Sequence, residues 1–169
     1  MVKKDNSKNT FLKWSVFLIV SICYNNYRVW LIVSNIVIRK AVPEDAEKII
    51  DINIRVWNTT YKNLISQEIV DKLQFKDEAR IVRNQKSIKE NQNTFVALVD
   101  GKIVGFHTFG KTRDENFGDA GEIYAGYILD EYQWLGLGRK LAVACMQELF
   151  DKGYTTLVTK CLDGNPANE

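Results

Sequence analysis

The chain has 169 residues, a length that corresponds to about one domain. A composition of 46% hydrophobic and 26% charged residues is typical of a globular protein and excludes fibrous and wholly disordered classes. The formal net charge of +2 is too small for a nucleic-acid-binding surface, so no nucleic-acid partner is expected. A single histidine and three cysteines without a CxxC pair predict no metal site and favour a reducing, cytoplasmic location.

Residues 1–35 form a basic and apolar leader, which we expect to lie outside the fold of a domain at 36–169. The leader carries five basic residues and one acidic residue. Its mostly apolar stretch 14–33 is, at about 20 residues, just long enough for a transmembrane helix. Arg28 within this stretch would cost about 2.5–3.5 kcal/mol near a bilayer centre. The favoured interpretation is an extension without a membrane role, and a membrane tether is the alternative.

The domain begins with a strand and a helix. The β-branched segment 36–42 predicts the strand. Pro43 suits the first position of a helix, and apolar residues at helical spacing as far as Trp57 continue that helix for about four turns. Two further helical stretches, 67–73 and 76–89, precede the next strand.

A hairpin occupies the middle of the chain. Segments 95–99 and 102–110 are predicted strands. Asp100 and Gly101 between them favour a tight turn, because these residue types tolerate the positive φ that both turn positions need. A polar loop, 111–121, follows the hairpin.

The last predicted unit is a strand, a helix and a strand, at 122–129, 135–152 and 155–162. The helix carries an apolar row at i,i+4 spacing, and Gly153 is the residue expected to end it. Such a unit within one sheet is a right-handed parallel crossover. Together with the antiparallel hairpin, it predicts an α/β fold with a mixed sheet and helices on its faces.

A Gln-x-x-Gly-x-Gly motif, Gln133 to Gly138, precedes the long helix. The free N–H groups and positive dipole of a helix start suit a phosphate or diphosphate, and glycines let it approach the backbone. Arg139 and Lys140 add positive charge. Neither the Walker nor the Rossmann pattern fits this loop. The alternative is a tight turn with close packing of the helix on the sheet.

Four segments of the chain, in this order, resemble the GNAT superfamily of N-acetyltransferases: IRKAVPEDAEKI, FVALVDGKIVGF, EIYAGYILDEYQWLGLGRKL and GNPANE. The third contains the family's Arg/Gln-x-x-Gly-x-Gly/Ala loop. The resemblance covers 36–169 and implies a GNAT-like fold and an acetyl-CoA-dependent N-acetyltransferase. It further implies that the acceptor, an amine on a small molecule or peptide, attacks acetyl-CoA directly in a ternary complex. A homodimer is a further expectation for this family.

The resemblance also implies a coenzyme A site. Strands 122–129 and 155–162 would separate at a bulge, the pantetheine arm would lie in the gap, and the N–H of Ile128 would polarise the thioester carbonyl. The residues implied to bind coenzyme A are Tyr127, Ile128, Leu129, Gln133, Trp134, Leu135, Gly136, Leu137, Gly138, Arg139, Lys140 and Asn165.

Acid–base and acceptor residues are assigned on the same basis. Glu122 is the candidate general base, since an attacking amine must lose a proton, and a merely solvated carboxylate is the alternative. Trp57, Tyr61 and Tyr124 are candidates for the acceptor site, with core packing as the alternative for Trp57 and Tyr124. His107 is expected to be a partly buried structural residue.

The family pattern continues beyond GNPANE with a helix and two strands, whereas this chain stops at Glu169. We therefore expect a GNAT-like fold without its last helix and two strands. The alternative to an active enzyme is an inactive or poorly folded fragment that retains at most coenzyme A binding.

Overall fold

A computed structural model describes residues 35–60 and 75–161, the single residues 66, 68 and 71, and the backbone of 18–24 and 27–33. In chain order, its strands and helices are β1 (Leu18–Tyr24), β2 (Tyr27–Val33), β3 (Ile36–Lys40), α1 (Ala46–Thr60), α2 (Glu78–Asn91), β4 (Thr94–Val99), β5 (Lys102–Lys111), β6 (Gly121–Ile128), α3 (Leu137–Asp151) and β7 (Leu157–Thr159).

The main sheet has five strands in the order β3-β4-β5-β6-β7. Pairs from β3 to β6 are antiparallel, and β6 pairs with β7 in parallel. The hairpin between β4 and β5 turns at Asp100 and Gly101, whose φ angles are 49° and 80°. The predicted mixed α/β fold, its central hairpin and its parallel last pair are therefore confirmed.

The described part of the apolar stretch, 18–24 and 27–33, forms strands rather than a helix. β1 and β2 pair antiparallel, from Leu18 opposite Val33 to Tyr24 opposite Tyr27, in a two-stranded sheet of their own. In the part of the chain that the structure describes, no helix combines the length and the apolar character needed to cross a membrane. Tethering through a helix at 14–33, the alternative considered above, thus has no counterpart in the described residues.

A buried carboxylate organises the start of α1. The two terminal nitrogens of Arg39, Nη1 and Nη2, donate to Asp45 at 2.6 and 2.9 Å, and the Val42 N–H donates to the same carboxylate at 2.9 Å. Asp45 thereby acts as the N3 residue of a capping box, because its carboxylate accepts from the N–H of the N-cap residue Val42. The helix predicted at 67–73 lies mostly outside the described residues.

The apolar row on α3 packs into the core as predicted. Leu137, Leu141, Cys145 and Leu149 are all buried, and burying each aliphatic side chain contributes about 1.5–3 kcal/mol. Burial, with a smaller contribution from the charge of Glu148, raises the pKa of Cys145 to about 12. The thiol therefore stays protonated and packs as a small apolar group.

Two boundaries differ from the sequence prediction for local backbone reasons. α3 begins at Leu137 rather than 135, because Trp134 and Gly136 have φ angles of 67° and 70°, which are incompatible with a helix. β7 contains three residues instead of eight because it pairs only with the first three residues of β6.

Candidate active site

Among the described residues, no strand pairs with the outer edge of the second half of β6, which is therefore open there. β7 pairs with Gly121, Glu122 and Ile123 only, although β6 continues to Ile128. The register between β5 and β6 shifts at this point, with one extra residue, Tyr124, on β6. Such a bulge bends a strand and increases its twist, which accounts for its separation from β7.

Alternate backbone N–H groups of β6 point away from β5, towards the open edge. The Leu129 N–H donates to Val104 O at 2.9 Å, so Leu129 faces β5. Because successive strand residues direct their N–H groups to opposite sides, those of Gly126 and Ile128 face the open edge. The amide of Leu129, predicted to contact coenzyme A, is instead used within the sheet, and its side chain is buried.

A cleft of about 640 Å³ lies along this edge. The end of α1, the middle of β5, the end of β6 and the turn into α3 form its walls. Six residues predicted to bind coenzyme A line it: Tyr127, Ile128, Gln133, Trp134, Leu137 and Gly138. The loop singled out in the sequence and the open edge of β6 therefore face the same space.

The N-terminus of α3 is uncapped and positively charged. Its N-cap is Gly136, no side chain that the structure describes caps it, and its first turn contains no acidic residue but does contain Arg139 and Lys140. The first backbone hydrogen bond of the helix is donated by the Lys140 N–H to the carbonyl oxygen of the N-cap residue Gly136, at 3.1 Å. The preceding N–H groups have no intrahelical acceptor. A helix start with free N–H groups and no acidic side chain favours an anion as its partner.

α2 begins in the opposite way. Asp77 accepts a hydrogen bond from the Arg80 N–H at 2.7 Å, and Glu78 lies in the first turn. Carboxylates of the chain itself therefore interact with the positive end of the α2 dipole. Among the described residues, no carboxylate does so at the start of α3.

The turn before α3 is held from both sides. Gln133 Nε2 donates to Asp130 Oδ1 at 3.1 Å, which braces the short 3₁₀ turn at Asp130–Tyr132. Leu135 packs against the main core. Trp134 between them is 97% exposed.

Glu122, the candidate base, is buried outside the cleft. Its side chain is 3% exposed, and Oε2 accepts hydrogen bonds from Thr112 Oγ1 and the Arg113 N–H, both at 3.0 Å. Burial raises its pKa, but those hydrogen bonds and the charges of Arg113 and Lys160 outweigh burial and leave the pKa below its usual value. A carboxylate so stabilised in its charged form is a weak base, and this geometry favours a structural role.

Two of the predicted acceptor residues, Trp57 and Tyr124, do not line the cleft. Trp57 Nε1 donates to the hydroxyl of Tyr127, a residue of the cleft wall, at 3.0 Å. Tyr124 lies near Glu122, where its hydroxyl donates to Lys111 O and the Arg113 guanidinium lies 4.1 Å from its ring centroid. The third, Tyr61, and the predicted coenzyme residue Asn165 lie outside the described residues.

His107 lines the cleft, which the sequence prediction missed. It lies on β5 directly opposite Gly126. Its Nδ1 is buried without a hydrogen-bond partner among the described residues, and burial lowers its pKa to about 4. The available signal was Gly126 itself, because a glycine inside a strand marks a close approach of another group.

The chain is similar in sequence to known proteins. The sequence model of the Acetyltransferase (GNAT) family matches residues 53–169. Over 133 residues the chain is 29% identical to the uncharacterized N-acetyltransferase YuaI of Bacillus subtilis (strain 168), covering 78% of this chain and 75% of YuaI.

Solved structures share the fold. The PaiA N-acetyltransferase of Thermoplasma acidophilum, in complex with coenzyme A, superposes with a TM-score of 0.66 at 20% identity over 79% of this chain and 84% of its own. An aminoglycoside acetyltransferase from an uncultured soil metagenomic sample, in complex with sisomicin, gives a TM-score of 0.56 at 22% identity over 79% and 82% of the two chains.

Proposed function

Because the chain belongs to the acetyltransferase (GNAT) family and is an N-acetyltransferase, we propose that it transfers the acetyl group of acetyl-CoA to a primary amine on a small molecule or peptide. One observation carries this proposal: the unpaired edge of β6 ends beside the uncapped N-terminus of α3. The two features suit the two parts of coenzyme A, an amide-bearing arm and a diphosphate.

The start of α3 is the proposed diphosphate site. The N–H groups of Leu137, Gly138 and Arg139 have no intrahelical partner, and the helix dipole favours negative charge there. Gly138 faces Ile128, with an added Cβ 3.4 Å from Ile128 Cδ1, so the helix start lies close to the strand. The cationic groups of Arg139 and Lys140 add to the attraction.

The open edge of β6 is the proposed site of the pantetheine arm. Gly126 and Ile128 present their N–H groups to the cleft, so an extended amide chain can pair with them as an added strand. We assign the Ile128 N–H as the donor that stabilises negative charge on the thioester oxygen.

Chemistry at this site requires little from side chains. The amine nitrogen attacks the thioester carbonyl carbon, a C–N bond forms, and the C–S bond breaks with its electron pair on sulfur. The proton lost by the amine passes to water in the cleft, because Glu122 is buried and does not line it. The aminoglycoside acetyltransferase with sisomicin supports a small-molecule amine as acceptor.

A charge reversal at α3 tests the proposal. Acetyl-CoA should raise the melting temperature of the wild-type chain through mass action. The double variant R139E/K140E should weaken acetyl-CoA binding at least tenfold without lowering the melting temperature of the free protein, because acids suit a helix start. K86E/K89E on α2 makes the same charge change away from the cleft and should leave binding unchanged.

Acetyl transfer is then measured as release of coenzyme A thiol with a panel of amines, after correction for the exposed Cys161. A folded wild-type chain that shows no melting shift at millimolar acetyl-CoA would refute the proposed function.

A further inference from the structure

Trp134 combines two features that rarely occur together. Its side chain is 97% exposed, the largest exposure among the large apolar residues described. Its backbone has a φ of 67°, a left-handed conformation that bulky L-residues seldom adopt. Strained residues of this kind persist where the surrounding structure enforces them, and they concentrate at ligand sites.

The neighbouring contacts explain why the strain persists. Gln133 is bound to Asp130, and Leu135 is packed against the core, so the turn is fixed on both sides of Trp134. Gly136 takes a second left-handed conformation and starts the helix. Between these fixed points the indole is directed to solvent rather than to the core.

The position of the indole relative to the cleft suggests its ligand. Trp134 lies on the cleft margin, two residues before the N-cap that would hold a diphosphate. From a diphosphate at that point, the pantetheine arm runs inward along Gly126 and Ile128, and the adenosine must extend outward. A side chain that touches almost no protein cannot form the inner wall, but it can meet a group that emerges from the cleft.

We propose that the indole of Trp134 is a stacking platform for the adenine of coenzyme A, an assignment that rests on the proposed function. The flat indole offers a π-face to the purine, and stacking of this kind tolerates a solvent-exposed site. Arg139, which is also exposed, provides positive charge for the nucleotide phosphates on the same side. The turn thus contributes amides to the diphosphate and a ring to the base.

Two ligands and three variants test the assignment by calorimetry. Trp134→Gly removes the ring and accommodates the positive φ, so its fold should be retained. It should bind coenzyme A about tenfold more weakly than wild type. It should bind 4′-phosphopantetheine, which lacks the adenosine, its 3′-phosphate and one phosphate of the diphosphate, with wild-type affinity. Trp134→Phe should retain most of the coenzyme A affinity. Phe150→Ala, which removes another exposed ring at the far end of α3, should change neither affinity.

Each other outcome overturns the inference in a distinguishable way. Equal coenzyme A affinity in Trp134→Gly and wild type removes the role of Trp134 but leaves the proposed function intact. An equal loss for both ligands means that Trp134 acts on the turn rather than on adenine. A changed oligomeric state of Trp134→Gly without ligand assigns the ring to a protein contact. Absence of coenzyme A binding by the wild type refutes the proposed function itself. If Trp134→Gly fails to fold, Trp134→Asn serves the same comparison, because asparagine tolerates this φ.

Discussion

The imidazole of His107 packs against the Cα of Gly126. A Cβ added at Gly126 would lie 2.6 Å from Nε2 and 2.8 Å from Cδ2 of His107. The two residues face each other across β5 and β6, at the open edge where the acyl group is proposed to bind. The absence of a side chain on one strand therefore makes room for a ring on the other.

Gly126→Ala should destabilise the fold by about 1–3 kcal/mol, because the new methyl group overlaps a ring packed in the sheet. The destabilisation should shrink in the double variant Gly126→Ala/His107→Ala, since the overlapping ring is then absent. Urea unfolding of wild type, both single variants and the double variant gives the coupling energy. Additive effects would mean that the two residues do not share this space.

The burial of His107 predicts a pH dependence of stability. Its pKa is lowered to about 4 in the fold, against about 6.5 in an unfolded chain. As pH falls below about 6.5, the unfolded chain takes up a proton that the folded chain rejects, so stability falls until the folded pKa is passed. Between pH 7.5 and 5.0 we expect a loss of about 2 kcal/mol.

His107→Gln is the control for this loss, because the variant keeps a polar side chain of similar size that does not titrate. His107 is the only histidine in the chain, so subtracting the variant's pH profile isolates its titration. If the wild type and His107→Gln lose the same stability between pH 7.5 and 5.0, the imidazole is not protected from protonation.

Elements encoded by local chemistry were predictable from the sequence. The Asp100-Gly101 turn was recognisable because its backbone needs positive φ, and the row on α3 because Leu141 and Leu149 repeat at helical spacing. The turn before α3, proposed to bind a diphosphate, was recognisable as a candidate from its glycines and its place before a helix.

What the sequence did not indicate depends on contacts between distant segments. The burial of Glu122 follows from a polar loop that folds back so that Thr112 and Arg113 donate to its carboxylate. No pattern near Glu122 specifies that loop conformation. The left-handed backbone of Trp134 likewise follows from anchoring on both sides of the turn rather than from any preference of tryptophan.

The contact between Trp57 and Tyr127 predicts a measurable coupling behind the cleft. The indole N–H donates to the phenol oxygen at 3.0 Å, and the two rings lie 6.4 Å apart between centroids at a tilt of 57°. Tyr127→Phe should cost about 1 kcal/mol of stability because it removes the acceptor of this half-buried hydrogen bond. A double-mutant cycle with Trp57→Phe, followed by urea unfolding, should show that the two losses are not additive. Full additivity would exclude the hydrogen bond as a source of stability.

Glu122 allows structural and catalytic roles to be separated by one substitution. Glu122→Gln keeps the shape of the side chain but removes the charge that the Arg113 N–H and Thr112 hydroxyl stabilise, so stability should fall by about 1–3 kcal/mol. Thr112→Val removes one of the two donors and should have a smaller effect in the same direction. Because the pKa of Glu122 is lowered in the fold, its stabilising effect is present above its unfolded pKa and is lost as the pH falls through the folded pKa.

The catalytic rate of Glu122→Gln at pH 8 should remain close to that of wild type when both are assayed well below their melting temperatures. If Glu122 were the general base, its substitution would lower kcat by about 10²- to 10⁴-fold. Such a loss, with unchanged stability and the disappearance of the acidic limb from the pH–rate profile, would assign Glu122 to proton transfer. The buried position and hydrogen bonds of its carboxylate predict the opposite result, reduced stability with retained kcat.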